Sequence, residues 1–198
     1  MLKFVKGLIL CSLVSASVFA CGGSSGPDQI AFASDRDGDY EVFVMDADGT
    51  NVRQLTTNDD MDYAPAWSPD GKQIAFDSTR DGDSEVFVMD ADGTNVRQLT
   101  TNDYSDSASA WSPDGKQIAF ASNRDGDFEI FVMDADGTNV RQLTTNDDTD
   151  LGSAWSPDGK QIAFTSDRYG GLEIIVMDAD GTNVRQLTQN GEKPQYAP

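Results

Sequence analysis

The 198-residue chain has no histidine and only two cysteines, Cys11 and Cys21. Without histidine, Ser-His and Cys-His nucleophile systems are excluded, and so is a zinc site built on imidazole. Basic residues are scarce: 14 Lys and Arg stand against 34 Asp and Glu, a formal charge of −20. Such a surface repels nucleic acid and anionic headgroups, and suits cationic proteins or divalent ions. No stretch shows the 3.6-residue apolar period, which excludes a helical solenoid. The one long apolar run, Gly7 to Ala20, is too short to span a bilayer.

What is present is a repeat of 44 residues, cleanest from Trp67 to Ala110. Its Trp recurs at Trp111 and Trp155, and its QIAF core at Ile30, Ile74, Ile118 and Ile162. The string VMDADGTNVRQLT starts without change at Val44, Val88, Val132 and Val176. A fixed period in this range points to a propeller, a solenoid or an array.

The unit itself chooses among them. Asp70-Gly71, Asp81-Gly82 and Asp92-Gly93 fall at hairpin spacing, and both residue types tolerate the positive φ of a tight turn. Three hairpins predict four strands, roughly 64–68, 73–78, 84–89 and 95–100. The middle strands, IAFDS and EVFVM, are apolar on both sides and want cover on both faces. A radial stack of sheets supplies that cover. The fold expected is all-β, a propeller of four four-stranded blades.

The first twenty residues differ in kind. Lys3 and Lys6 precede the apolar run, and Ala20 precedes Cys21, the arrangement of a secretory signal. Val18-Phe19-Ala20-Cys21 resembles a bacterial lipoprotein box, which implies that the Cys21 thiol is diacylated and becomes the new N-terminus. Ordinary secretion with cleavage after Ala20 is the alternative. Cys11 leaves with the signal in either case, so no internal disulfide forms. Residues 21–28, with Gly22-Gly23-Ser24-Ser25-Gly26, read as lipidated Cys and flexible tether. Within the lipoprotein resemblance, Gly22 after the Cys implies sorting to the outer membrane, facing the periplasm.

The strings PAWSPDGKQIAF, SDRDGDYEVFVMDADG and TNVRQLT resemble the WD-like Pro-Asp repeat of the TolB-like propellers, from about Gln29 to Thr188. The resemblance implies an interaction platform, with the Trp-bearing strand innermost and VRQLT outermost. The α/β domain of TolB has no counterpart here, nor has any hydrolase domain. Trp67, Trp111 and Trp155 suit burial where blades converge. Pro69, Pro113 and Pro157 preset φ for the first hairpin. Arg53, Arg97, Arg141 and Arg185 suit an outer edge, where a charge discourages pairing with another chain.

One recurrent stretch has a chemical reading. Asp35, Asp37, Asp39 and Glu41 cluster in a glycine-containing turn, as do Asp81, Asp83 and Glu85, then Asp125, Asp127 and Glu129. Calcium takes six to eight hard oxygens, and such turns offer them. The order is DxDGDxE rather than that of an EF-hand, and the fourth unit, DRYGGLE, loses two acids. The same acids serve equally as solvated turn formers. Carboxylate pairs of a glycosidase kind carry no signal where acids are this abundant, and SPDGKQIA does not match the sialidase Asp box.

The reading is therefore a signal peptide over 1–20, a tether over 21–28 and a propeller over 29–198. Blade repeats are expected at about 29–61, 62–105, 106–149 and 150–192. The function expected is non-enzymatic: an envelope-anchored platform for a protein partner, with no cofactor and contact with membrane through the lipid alone. The alternatives are a module holding calcium or a glycan at a blade end, and a structural fragment of a longer propeller. The first unit lacks its Trp strand, and Lys193–Pro198 echoes the lead-in Met61–Ala66, so residues 193–198 are a candidate closing strand. Closure within the chain, an open arc and a homodimeric ring all fit the sequence.

Overall fold

The computed structural model describes residues 18–20, 29–36 and 38–189. Its strands form four four-stranded antiparallel sheets, each in simple up-and-down order. The second blade shows the pattern: β5 (Asp62–Trp67), β6 (Gln73–Ser78), β7 (Glu85–Asp90) and β8 (Arg97–Gln98). The third repeats it with β9 (Asp106–Trp111), β10 (Gln117–Ser122), β11 (Glu129–Asp134) and β12 (Arg141–Gln142). The fourth has β13 (Asp150–Trp155), β14 (Gln161–Ser166), β15 (Glu173–Asp178) and β16 (Arg185–Gln186). The first comprises β2 (Gln29–Ser34), β3 (Glu41–Asp46), β4 (Arg53–Gln54) and, in the inner slot, β1 (Val18–Ala20).

The turns explain the hairpins. In the β7–β8 turn the Gly93 amide donates to Asp90 O at 2.9 Å with φ at +89°, a conformation closed to most side chains. Asn95 follows at φ +53°, pinned by a 2.7 Å bond from its amide to Asp90. That left-handed residue shortens the expected outer strand to Arg97–Gln98. The inner strand runs longer than expected, starting at Asp62. It absorbs a bulge between Tyr63 and Ala66, where Ala64 sits at φ +50°.

The sheets pack face to face in sequence. Ala31, Val42 and Val44 of the first blade meet Ile74, Phe76, Phe87 and Met89 of the second. The same positions are used at the next junctions, Val86 against Ile118 and Phe120, then Ile130 and Val132 against Ile162 and Phe164. Each blade thus presents a forward face to its successor and a backward face to its predecessor, which accounts for strands apolar on both sides. First strands touch first strands (β1 on β5, β5 on β9, β9 on β13), which places the Trp strand innermost. Among the described residues no extensive packing joins the fourth blade to the first. Over the described residues the four blades follow one another as an arc.

In the uncleaved chain the slot expected for Lys193–Pro198 is occupied by Val18–Ala20, paired with β2 through Phe19 opposite Ala31, a segment that cleavage before Cys21 would remove. Residues 193–198 themselves lie outside the described residues. One side chain breaks the apolar pattern. Asp77 stands where Ala33, Ala121 and Thr165 stand in the other blades, and it is fully buried against the third blade. Its Oδ2 accepts the Ala108 amide at 2.8 Å, while Oδ1 has no partner.

Candidate functional site

Antiparallel order puts the loops of each blade at two ends. One end carries the SPDGK and DADGTN turns. The other carries the acidic turns (79–84 and equivalents) and the connectors to the next blade (99–105 and equivalents). At this second end a buried polar chain ties blade to blade. Glu85, fully buried, accepts the Asn102 amide at 2.7 Å. The Asn102 side chain donates to Asp106 at 2.8 Å, and Arg124 donates to the same carboxylate oxygen at 2.8 Å. The Arg124 guanidinium lies over the Phe131 ring at 4.5 Å. Glu41–Asn58–Asp62–Arg80 and Glu129–Asn146–Asp150–Arg168 repeat the arrangement.

These bonds decide where the candidate calcium ligands go. Glu41, Glu85 and Glu129 are clamps on the connectors, also bound by Thr56, Thr100 and Thr144. Burial pushes the Glu85 and Glu129 carboxyls up to about 7. Asp81 and Asp125 turn outward to Gln98 and Gln142. Asp39, Asp83 and Asp127 each bury one oxygen without a partner; desolvation, then the charge of the nearby outward acid, raises Asp83 and Asp127. Asp35 is exposed. Asp37 and Cys21 lie outside the described residues. Among the described residues, no three such side chains converge as a metal site.

The same end has a surface that sequence reasoning missed. Tyr40, Met61, Tyr104, Tyr169 and Leu172 are all exposed there, Tyr169 at 55% and Leu172 at 57%. Around them stand exposed acids such as Asp59, Asp81, Asp103, Asp125 and Asp147. Three arginines of this end are already engaged, Arg80, Arg124 and Arg168 on buried Asp62, Asp106 and Asp150, while Arg36 of the first blade is exposed and donates to Ser34. Lys72, Lys116 and Lys160 sit at the opposite end beside Asp70, Asp114 and Asp158. The result is an acidic face studded with aromatic and apolar groups. A signal was available, because Tyr40, Ser84, Phe128 and Leu172 occupy one repeat position, and Met61, Ser105 and Thr149 another. Units otherwise nearly identical differ at this end. The repeated Trp is structural, as its place between blades led us to expect: Trp111 and Trp155 are half-buried, and their Nε1 groups donate to Ala66 O and Ala110 O of the preceding blade.

Comparison with known proteins agrees with this architecture. Residues 101–198 match the TolB beta propeller domain, and 48–128 match the Tricorn protease N-terminal beta propeller domain. The Tol-Pal system protein TolB of Geobacter metallireducens is 47% identical over 55 residues, 27% of this chain and 13% of that protein. The structure of a TolB from Agrobacterium tumefaciens superposes with a TM-score of 0.75 and 28% identity, over 80% of this chain and 60% of that one. TolB from Acinetobacter baumannii gives 0.72 and 26%, over 87% and 43%. A puromycin-hydrolyzing peptidase from Mycobacterium tuberculosis, at 15% identity and a TM-score of 0.66, shares the fold alone. The chain spans less than two thirds of the length of each of these proteins.

Proposed function

We infer, from its place among the TolB-like β-propellers, that this chain is a non-enzymatic docking module of the cell envelope. It is held to the outer membrane, on the periplasmic side, by lipid on Cys21, and its partners are a cationic envelope protein and a second copy of itself. The observation that carries the reading is the acidic end, where exposed Tyr104, Tyr169 and Leu172 stand among exposed carboxylates while Arg124 and Arg168 are held on buried Asp106 and Asp150. Tyrosine supplies contact area at low entropic cost, and the surrounding charge steers a basic partner. Capture from envelope extract tests it. Tyr104→Ser with Leu172→Ser is expected to lose the captured protein, and rising salt to weaken capture. Loss on Val96→Ser with Val140→Ser, at the opposite end, would instead assign binding to that end.

A second reading keeps calcium at the acidic turns. It is favoured by the buried, partnerless oxygens of Asp39, Asp83 and Asp127, which a divalent cation satisfies. Calorimetric titration with calcium tests it: a rise in melting temperature lost on Asp83→Asn supports the site, and no heat of binding removes it.

A further inference from the structure

Each blade junction repeats a fixed set of matched halves. Leu55 packs so closely on Gly93 that a Cβ there would meet Leu55 O at 2.9 Å; Leu99 does the same at Gly137 and Leu143 at Gly181. Two members of this series are left over. Leu187, the next leucine, is 49% exposed, and Gly49, the first glycine, has nothing within 4 Å of its Cβ position.

The apolar faces behave likewise. Phe76, Phe120 and Phe164 are all but fully buried, whereas Phe32, at the same position of the first blade, is half-exposed. Ile130 and Val86 are fully buried, whereas Ile174 of the fourth blade is not. The first blade therefore shows an uncovered backward face, and the fourth an uncovered forward face. These are the two halves of the contact that the chain makes three times within itself.

We propose that a second copy of this chain covers both. The forward face of one fourth blade seats on the backward face of the partner's first blade, with Leu187 over Gly49, and the reciprocal contact closes a ring of eight blades. A head-to-tail contact generates a ring when its rotation closes and a filament when it does not, and eight blades lie within the range propellers adopt. The inference rests on the fold and not on the envelope reading.

Sedimentation equilibrium on the full chain in mild detergent tests it. The expected species is a dimer at micromolar concentration. Leu187→Glu at an exposed side chain, and Gly49→Ala in open space but in a turn held at φ +85°, should each weaken association by about tenfold or more, with circular dichroism and melting temperature read alongside to separate lost association from a lost fold. Val140→Glu, exposed away from both faces, should not. An equimolar mixture of the two variants should regain a dimer, since Leu187 of one and Gly49 of the other still make one intact junction. A monomer at 100 μM wild-type chain, a dimer indifferent to both variants, or a ladder of higher oligomers would each overturn the proposal.

Discussion

The indole Nε1 of Trp155 donates to the main-chain oxygen of Ala110 at 3.2 Å, 45 residues earlier and one blade back. Trp111 holds Ala66 in the same way at 3.1 Å. The repeated tryptophan is thus a cross-blade bolt near the centre of the arc, half-buried and donating outward from its own sheet.

This bolt has a graded consequence. Trp111→Ala should cost about 3 kcal/mol, the lower end for a buried aromatic because the ring is only half-covered. Trp111→Phe should cost about 1 kcal/mol, the value of one hydrogen bond. Trp67→Phe should cost less than Trp111→Phe, since Trp67 Nε1 has no acceptor to lose. Urea titrations of the three variants, compared at matched m-values, check the order.

Arginines of equal sequence context should differ in the same manner. Arg124 is the cation facing Asp106, whose side chain is fully buried. Arg124→Met strands that carboxylate and should cost about 2–4 kcal/mol, tempered by the arginine's partial exposure. Arg36, the equivalent in the first blade, is exposed and bonded to Ser34 at 3.0 Å. Arg36→Met should stay within about 0.5 kcal/mol. Thermal melts of both variants decide it.

Asp77 gives the fold a pH slope. Burial raises its carboxyl from an ordinary 3.8 to about 8, against the pull of the Ala108 amide. The folded state therefore favours the protonated form. Its contribution is full below about pH 4 and is lost as pH rises through 8. Asp77→Ala, which installs the residue found at Ala33 and Ala121, should be more stable than wild type at pH 9 by about 1–3 kcal/mol. The advantage should vanish at pH 4. Parallel stability–pH curves for the two proteins would refute the role given to Asp77.

Cys21→Ala should move the protein from the membrane pellet to the soluble fraction on cell fractionation. Full modification matters because one acyl chain gives only marginal attachment, and two signals give stable binding. A wild-type chain already soluble after export would refute the anchor.

Much of the blade was legible in the sequence because its turns are chemically explicit. Asp92-Gly93 announces a positive φ, and the two-sided apolar run of EVFVM announces cover on both faces. The limits of the outer strand were not legible, because the hydrogen bond from Asn95 to Asp90 that ends the turn appears only once the chain has folded back. The acidic turns looked like one ligand set because their carboxylates are neighbours along the chain. Alternation sends Asp81 outward, Asp83 inward and Glu85 into the connector clamp, a division of labour that nearness in sequence does not announce. The acidic, aromatic-studded face lay in the few positions where the units disagree, and it took the up-and-down topology to gather those positions at one end.

Because every junction is made from the same few contacts, the fold does not register how many blades precede or follow a given one. A gain or loss of 44 residues leaves each surviving junction as it was, with its leucine on its glycine. A gain or loss that falls within a strand instead shifts its pairing register and breaks a hairpin. Blade number is therefore free to drift by unequal copying of the gene, and the length of such an array becomes a trait that replication can change in one step.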